Sequence, residues 1–278
     1  MPEPIESCFA PDVLAGRRAL VTGGATGIGK EICRVLGRHG ARVAMVSRKE
    51  ENLRAAVDEL SAEGLDVRYE VADVRDADAV QRVVGSVVEA FGGLDLCVNN
   101  AAGNFPAPMT SITPNGFKAV VDIDLLGTYH VSKSVFDASM RHHGGDIVNI
   151  SAPFEQKGVA LQAHVAAAKA GVDSLTRTCA VEWGPYGIRT NAVAPGSISD
   201  TEGVRRFASA VRGGDERAVN PLGRDGHGSD IAYTVLFLCS PAARLISGQV
   251  IAVDAAATVD QLKLGLGRTD TALDSGTA

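Results

Sequence analysis

The chain has 278 residues, of which 45% are hydrophobic and 22% are charged, and its formal net charge is -6. This length accommodates one large α/β domain or two small ones, with a sizeable apolar core. The charges form no long run of one sign, which argues against a nucleic-acid-binding surface or a basic helix that adheres to membranes. No apolar run reaches the roughly 18 residues that a membrane-spanning helix needs. The composition therefore favours a protein that handles small molecules.

The cysteines and the two ends of the chain indicate in which cellular compartment the protein is expected. The five cysteines are odd in number and widely spaced, so we expect reduced thiols in the core. The first residues, MPEPIES, lack the basic and apolar regions of a secretory signal. The last three, GTA, do not resemble a peroxisomal address. We therefore expect a cytoplasmic protein.

Apolar runs and helical periodicities alternate along the chain from residue 17 onward. Strands are predicted at 17–22, 42–47, 66–71, 94–100, 146–151, 188–194 and 249–254. Helices are predicted from the first glycine turn to Gly40 and near 50–63, 76–91, 114–141, 163–183 and 229–239. Repeated βα units predict a single-domain α/β fold, a Rossmann-like doubly wound parallel sheet of about seven strands with helices on both faces. Ligands bind such sheets at the carboxyl ends of the strands.

The folded domain is predicted to span 16–260, after an N-terminal lead at 1–15. The tail at 261–278 mixes Gly, Thr and Asp, and we expect it to be loosely held.

A glycine-rich turn, TGGATGIG at 22–29, lies between the first predicted strand and helix. Gly23, Gly27 and Gly29 let the chain turn tightly and approach a pyrophosphate, whose charge the helix N-terminus favours. A glycine turn without a ligand is the alternative. The strand before it and the helix after it favour nucleotide binding.

The end of the second strand discriminates between the two nicotinamide dinucleotides. An acidic residue there binds the ribose hydroxyls of NAD, whereas a basic one accommodates the extra phosphate of NADP. The sequence is Ser47-Arg48-Lys49, with no acid before Glu50. Arg48 on its own could be a solvated surface residue, but in this position it favours NADP.

A long Ala-rich helix is predicted at 163–183, with Lys169 set among small residues and Asp173 one turn later on the same face. Such a pair is either a structural ion pair or part of a catalytic site. The apolar surroundings favour a site role, as does the order of the charges, because an acid C-terminal to a base is the less stabilising arrangement.

These motifs resemble the short-chain dehydrogenase/reductase family over about residues 15–255. The resemblance rests on TGGxxGIG, Asp73-Val74 after the third strand, Asn99 after the fourth, Lys169, and Pro195-Gly196 after the sixth. It implies a cofactor site formed by Gly23, Thr26, Gly27, Ile28, Gly29, Ser47, Arg48, Asp73, Val74, Asn99, Ala101, Lys169, Pro195, Gly196 and Ile198. Lys169 would grip the nicotinamide ribose, and the backbone near Ile198 would meet the carboxamide.

The chain departs from the family at its usual catalytic groups. Val165 stands where the tyrosine of Tyr-x-x-x-Lys is expected, Ala152 replaces the usual serine, and Asp124 replaces the usual asparagine. Since the tyrosine serves as acid or base, its absence argues against ordinary ketone or alcohol chemistry.

One branch of the family shows this same departure, the 2,4-dienoyl-CoA reductases, and the chain is most similar to their peroxisomal type. The similarity is carried by NNAAGNFPAP (99–108), VDIDLLGTYHVS (121–132), AAAKAGVDSLTR (166–177), AVEWGPYGIR (180–189) and APGSISDTEGVRR (194–206). Phe154 occupies the position where the mitochondrial type carries an active-site tyrosine. The resemblance implies NADPH-dependent reduction of 2,4-dienoyl-CoA thioesters to 3-enoyl-CoA in the breakdown of unsaturated fatty acids.

In that reaction the resemblance implies that Asp173 holds and polarises a water that protonates the substrate, with Lys169 beside it. Asn104 is the candidate for a hydrogen bond to the enolate oxygen. Substrate contacts are expected from Asn104, Phe105, Phe154, Arg205 and Arg206.

A substrate lid is expected at 197–217, where Arg205, Arg206 and Arg212 would meet the phosphates of coenzyme A or remain surface arginines. The small faces of the 114–141 and 163–183 helices suit the homotetramer that is usual in the family.

Two alternatives remain open. One is a trans-2-enoyl-CoA or 3-oxoacyl thioester reductase, which the missing tyrosine at Val165 disfavours. The other is a non-enzymatic NADP-binding protein, for which Asp173 and Asn104 would have no use.

Other polar and aromatic residues are assigned to the scaffold. His142 and His143 close a helix with no acid or cysteine at ligand spacing nearby, so no metal site is expected. His164 is predicted to lie at the rim of the site, where it could donate a proton. Phe117, Phe136 and Trp183 fall at apolar helical positions and are predicted to be core. Asp254-Ala255-Ala256 replaces the Asp-Gly-Gly usual in the family.

Overall fold

The computed structural model describes residues 7–154, 158–198 and 220–259, and within them seven strands form one parallel sheet. The strands are β1 (Arg18–Thr22), β2 (Arg42–Ser47), β3 (Val67–Val71), β4 (Leu96–Asn99), β5 (Gly145–Ile150), β6 (Ile188–Pro195) and β7 (Val250–Val253). Their order in the sheet is β3-β2-β1-β4-β5-β6-β7. The predicted doubly wound α/β fold is confirmed.

Helices cover both faces of the sheet. They are α1 (Gly27–Arg38), α2 (Glu50–Ala62), α3 (Ala77–Phe91), α4 (Pro114–Val121), α5 (Gly127–Ala138), α6 (Ala163–Trp183) and α7 (Gly228–Cys239). Because parallel strands are buried on both faces, they read as nearly continuous apolar runs. Leu20 and Val21, neighbours on β1, lie in separate hydrophobic clusters on opposite faces of the sheet.

The strand order reverses between β1 and β4, which opens a crevice at their carboxyl ends. The two loops that leave this point are held together by hydrogen bonds. Thr22 Oγ1 accepts from the backbone N–H groups of Asn100 and Ala101, each at 3.0 Å. The amide of Asn100 donates to the Thr22 carbonyl at 3.1 Å. These hydrogen bonds fix the two loops to each other at the base of the crevice.

The helix predicted at 114–141 is helical without a break from Pro114 to Ala138, but it contains a π-helical turn that was not predicted. α4 begins with Thr113 as a side-chain cap and Pro114 in its first turn, and it runs into a π-helical turn at Asp122–Leu126. α5 follows, and a 3-10 turn at Met140–His142 ends the segment. The π-helical turn uses i→i+5 hydrogen bonds, which the α-helical periodicity of the sequence does not reveal.

Most of the predicted lid and tail lie outside the described residues, including Arg205, Arg206 and Arg212. Among the aromatic residues assigned to the core, Phe136 is buried and its ring stacks on Trp183 with centroids 4.7 Å apart. Phe117 is half-buried. Within the described ranges, no helix has both the length and the apolar character needed to cross a bilayer.

The cysteines are free thiols, and four of the five are buried. Cys8 is the exposed one. Burial raises the pKa of Cys97 to about 12 and that of Cys179 to about 11. The prediction of reduced core thiols is confirmed for all but Cys8.

Candidate active site

The glycine-rich turn has the geometry of a phosphate cradle. Gly23 and Gly27 have φ angles of 64° and 52°, in the left-handed region that favours glycine. A Cβ on Gly29 would lie 2.2 Å from the Gly23 carbonyl oxygen. α1 starts at Gly27, and its N-cap, Thr26, makes no side-chain cap hydrogen bond. The first N–H groups of α1 can therefore donate hydrogen bonds to a bound anion.

Two arginines flank one carboxylate where β2 and β3 end. The Arg75 guanidinium donates to both oxygens of Asp73, with Nη2 2.5 Å from Oδ2, and Arg48 Nη1 lies 3.9 Å from that same oxygen. Hydrogen bonds from Arg75, which outweigh the effect of burial, lower the pKa of Asp73. With Asp73 ionised, this surface keeps a net positive charge beside the glycine cradle. That charge suits a phosphate group.

The neighbouring Val74 is fixed from the other side of the crevice. It packs so closely on Gly127 that a Cβ there would lie 2.6 Å from Val74 Cγ2. The carbonyl oxygen of Val74 lies 2.9 Å from Nδ1 of His130. Both contacts tie the loop after β3 to the start of α5.

Asn99 has its side chain inside the core. Its amide donates to Ser132 Oγ and to Asn149 Oδ1, each at 2.8 Å, and the amide of Asn149 donates to Thr176 Oγ1 at 2.8 Å. This buried network joins β4, β5, α5 and α6 beneath the crevice. Asn99 can therefore face a cofactor only through its backbone. The sequence did not reveal the network, because its members are distant from one another along the chain.

Lys169 is buried, as predicted, with 5% of its surface exposed. Its ammonium group donates to the Ile150 carbonyl at 2.7 Å and lies 3.6 Å from Asp124 Oδ2. We predicted a pair with Asp173, and the structure shows an ion pair with Asp124, a carboxylate that the sequence analysis did not assign to Lys169. Asp173 lies one turn further along α6 and is 1% exposed.

Asp124 is fully buried on the π-helical turn. Its Oδ1 accepts from the Gly103 N–H at 2.7 Å, and its own carbonyl accepts from Thr128 Oγ1 at 2.7 Å. Burial raises the pKa of Asp124, and the charge of Lys169 opposes this only in part. Burial therefore disfavours the ionised form of this acid, which the sequence analysis treated only as a departure from the family pattern.

No hydroxyl occupies the position one turn before Lys169, since Val165 is there and is buried. Ala152, in the place of the usual serine, is half-buried after β5. Phe154, two residues later, is also half-buried, and its N–H donates to the Ala152 carbonyl at 2.8 Å. The ionisable groups at this position are therefore the carboxylates of Asp124 and Asp173 and the ammonium group of Lys169.

The loop after β4 carries the predicted substrate residues Asn104 and Phe105, both of which are exposed. The Phe105 ring still makes a T-shaped contact with the His164 ring, with centroids 4.3 Å apart. The Ala107 N–H donates to the Leu161 carbonyl at 3.1 Å. Leu161 has a φ of 66°, a left-handed conformation that is strained for a leucine. Two contacts thus fasten this loop to the start of α6.

His164 is not a rim residue, and that prediction was wrong. Its side chain is fully buried in the first turn of α6. The start of a helix is commonly exposed, but here the ring of Phe105 lies over it.

The segment after β6 borders the same crevice. The Gly196 N–H donates to the Val253 carbonyl at 2.9 Å, and a Cβ on Gly196 would lie 2.6 Å from Asp254 Cα. Ile198 is buried. Pro195 ends β6, so Pro195, Gly196 and Ile198 lie at the carboxyl end of this strand, where ligands bind such sheets.

The parallel sheet, the glycine cradle at its switch point and the buried lysine on α6 define a dinucleotide-dependent oxidoreductase. A family model described as Enoyl-(Acyl carrier protein) reductase matches residues 23–258. The chain belongs to the short-chain dehydrogenase/reductase family and is an oxidoreductase of that family.

Individual relatives show which members of the family the chain is similar to. The chain is 43% identical over 252 residues to the peroxisomal 2,4-dienoyl-CoA reductase [(3E)-enoyl-CoA-producing] of Danio rerio, covering 90% of this chain and 84% of that one. It is 40% identical over 246 residues to the probable 2,4-dienoyl-CoA reductase [(2E)-enoyl-CoA-producing] of Bacillus subtilis, covering 86% and 95%. Among solved structures, an actinorhodin polyketide ketoreductase variant with NADPH is 33% identical, with a TM-score of 0.83, and covers 87% of this chain and 97% of that one.

Proposed function

We propose that the chain reduces 2,4-dienoyl-CoA thioesters to 3-enoyl-CoA with NADPH, in the degradation of unsaturated fatty acids. The observation that carries the proposal is the buried Lys169–Asp124 pair next to Val165, where the family's tyrosine is missing. Relatives about 40% identical over most of the chain are named as 2,4-dienoyl-CoA reductases, and the one from Danio rerio is named for the (3E)-enoyl-CoA product.

The residues present fit a nicotinamide dinucleotide phosphate. The cradle at Gly29 leaves no room for a Cβ, and Arg48 and Arg75 place positive charge at the end of β2 and β3. A 2′-phosphate would be stabilised there, whereas the ribose hydroxyls of NAD would find no acid at the end of β2. Bound NADPH supplies the hydride.

The missing tyrosine is consistent with a dienoyl substrate. When hydride reaches the far end of the conjugated thioester, negative charge collects on the thioester oxygen, and a proton must then reach the α-carbon. No alcohol is deprotonated, so no tyrosinate is required. The reaction needs a donor near the oxygen and a proton source near the carbon.

The proton source is assigned to the buried acids around Lys169. Asp173 holds and polarises the water that protonates the α-carbon, as the family resemblance implies. Asp124 is the second acid; burial raises its pKa, and its Oδ2 lies 3.6 Å from the Lys169 ammonium nitrogen. Asn104, exposed in the loop after β4, is the candidate donor to the enolate oxygen. Phe105 and Phe154 would line the acyl chain, and the arginines at 205 and 206 would meet the coenzyme A phosphates.

The test is oxidation of NADPH by the purified chain with a short 2,4-dienoyl-CoA, run beside trans-2-enoyl-CoA and 3-oxoacyl-CoA. We expect turnover of the dienoyl thioester alone. Separation of the products identifies the double-bond position, which matters because the two named relatives differ in it. Preferred turnover of the enoyl or oxoacyl thioester contradicts the proposal. NADPH binding without hydride transfer to any thioester would instead establish a non-enzymatic NADP-binding protein.

The chain is further proposed to act as a homotetramer in the cytoplasm, with an acyl-CoA as its partner and without nucleic acid or membrane. The exposed Leu126 and Tyr129, at the junction of the π-helical turn and α5, support an interface on this face. Light scattering on the eluted protein measures the assembly, and a monomer contradicts it. Localisation of the tagged chain in its host tests the compartment.

A further inference from the structure

A second cleft lies at the opposite end of the sheet from the glycine cradle. Its arginine, aspartate and histidine residues are Arg17, Asp95, His143, Asp146, Arg189 and Arg244. The volume of about 310 Å³ falls at the lower end of the range for small-molecule sites. Arg17 directly precedes β1, and Asp146 and Arg189 are the second residues of β5 and β6, so the cleft opens at the amino ends of these strands. A ligand bound here would be separate from the cofactor and the thioester.

Positive charge is in excess in this cleft. Among the described residues, three arginines and two aspartates line it. One of the aspartates, Asp95, is already held by a further arginine, because Arg18 Nε and Nη2 donate to its carboxylate at 2.6 and 2.8 Å. Three positive charges therefore oppose the one negative charge of Asp146, with the histidine counted as neutral. Such a lining attracts anions.

Asp146 and Arg189 form the fixed part of the cleft. Asp146 Oδ2 accepts from Arg17 Nη2 at 2.9 Å, and its Oδ1 lies 2.6 Å from Arg189 Nη2. Arg189 also donates to the backbone carbonyls of Leu238 at 2.7 Å and Ala243 at 2.8 Å. Its guanidinium group thus fastens β6 to the end of α7, which is a structural role.

Arg17 and Arg244 differ from Arg189 because they keep donors available. Arg17 engages only Nη2, which donates to Asp146 at 2.9 Å and to the Asp95 carbonyl at 3.4 Å. Its Nε has no hydrogen-bond partner among the described residues, although 36% of the side chain is exposed. The exposed Arg244 side chain forms neither a hydrogen bond nor an ion pair with the described part of the chain. Two guanidinium groups in one cleft therefore have capacity for a further acceptor.

We propose that this cleft binds a small multivalent oxyanion, a molecule that carries phosphate or carboxylate groups, through Arg17 and Arg244. Guanidinium groups match the spacing of oxygens in phosphates and carboxylates and bind them by paired, charge-assisted hydrogen bonds. The bond from Arg17 to Asp146 holds this guanidinium in place, which reduces the entropy lost when a ligand binds. Because Arg244 is exposed, the affinity depends on ionic strength.

The first experiment follows the Arg17 Nε–H signal by NMR while inorganic phosphate or citrate replaces chloride at constant ionic strength. The signal is assigned by its loss in Arg17→Lys. NADPH is kept in excess, so that phosphate does not occupy the glycine cradle. We expect a saturable shift in the wild type and a Kd raised by at least about threefold in Arg244→Ala. Arg82→Ala removes an exposed arginine of α3 outside the cleft and should leave the Kd unchanged.

Each outcome of the titration bears on the cleft. Saturation by phosphate supports a phosphate-bearing ligand, and saturation by citrate alone supports a polycarboxylate. A shift that only grows linearly with either anion overturns the proposal, as does the same Kd in the wild type and in Arg244→Ala. Since Arg244→Ala removes an exposed side chain, we expect it to fold normally, and its backbone amide spectrum verifies this.

Thermal unfolding gives an independent measure. A ligand that binds the folded state raises the Tm by mass action. Replacing chloride by the anion that saturates should therefore raise the Tm of the wild type and of Arg82→Ala equally, and that of Arg244→Ala by less. Comparison among the three proteins cancels the general effect of phosphate or citrate on protein stability. Equal increments in all three would show an adventitious ion only and would contradict the site.

Discussion

The Lys169 ammonium nitrogen lies 3.6 Å from Asp124 Oδ2, in a pocket that excludes almost all solvent from both side chains. The two residues come from different helices, and the π-helical turn brings them together. Because Lys169 also donates to the Ile150 carbonyl, the ammonium group is held at the carboxyl end of β5. The pair is thus fixed to the sheet at the edge where ligands bind.

Asp124→Asn should separate catalysis from cofactor binding. The amide can still accept from Gly103, but it can neither ionise nor hold a transferable proton. We expect kcat with a dienoyl thioester to fall by about 10²–10⁴-fold. NADPH affinity, measured by fluorescence titration, should change by less than about threefold, since the glycine cradle is untouched. Asp122→Asn is the control on the same turn, and full activity in Asp124→Asn would remove this acid from the mechanism.

Asp173→Asn and Asp173→Ala test the water-holding role. Both variants should lose turnover and keep NADPH binding nearly intact, because the substitution removes the polarising carboxylate and not a phosphate contact. Loss of activity in single-turnover mixing would place the defect in chemistry rather than in product release. Ser174→Ala, an exposed neighbour on α6, serves as the control. Retention of full turnover in either Asp173 variant would refute the assignment.

Arg48→Ala should change cofactor preference. A charge-assisted hydrogen bond contributes about 1.5–3 kcal/mol, so we expect NADPH affinity to fall by about 10- to 100-fold while NADH affinity stays the same. Arg54→Ala removes an exposed arginine from α2 that pairs with Glu50, and it should affect neither cofactor. Equal losses for NADPH and NADH after Arg48→Ala would contradict recognition of a 2′-phosphate.

Ala255 and Ala256 have φ angles of 53° and 66°, in the region where a Cβ is unfavourable. The left-handed conformation costs about 1–2 kcal/mol per non-glycine residue. Ala255→Gly and Ala256→Gly should therefore each raise the free energy of unfolding by about 1 kcal/mol, after allowance for the greater chain entropy of glycine. Urea unfolding measures the change. Ala257→Gly, at a residue outside the left-handed region, should stabilise nothing.

The Arg18–Asp95 pair predicts an acid-sensitive part of the stability. Burial alone would raise the pKa of Asp95, but hydrogen bonds from Arg18 outweigh it, with Nε 2.6 Å and Nη2 2.8 Å from the carboxylate oxygens, and the pKa is lowered. A carboxyl group whose pKa is lowered on folding stabilises the protein fully above the ordinary aspartate pKa of about 3.9. This contribution is lost as the pH falls through the pKa of the folded state. Asp95→Asn should flatten the loss of unfolding free energy in that window. An unchanged slope would assign the acid sensitivity to other groups.

Local patterns predicted the fold well because each strand, helix and glycine turn is specified by neighbouring residues. Gly23, Gly27 and Gly29 are an example, since their spacing already implies the turn that the structure shows. The ion pair of Lys169 with Asp124 was not predicted, because a one-turn rule within α6 cannot identify a carboxylate from another helix. His164 was misplaced for a similar reason, since a loop residue, Phe105, covers it. The amide network of Asn99 likewise depends on contacts between distant segments.

The π-helical turn at Asp122–Leu126 also bears on how such a site can arise. A π turn holds one residue more than the α turn it replaces. Deleting one residue from Asp122–Leu126 would let this segment return to α-helical hydrogen bonding while α4 and α5 keep their packing. The residues of the turn itself would then shift, and with them Asp124, which lies beside Lys169. Conversely, insertion of a single codon into a regular helix is sufficient to form such a turn without moving the two flanking helices.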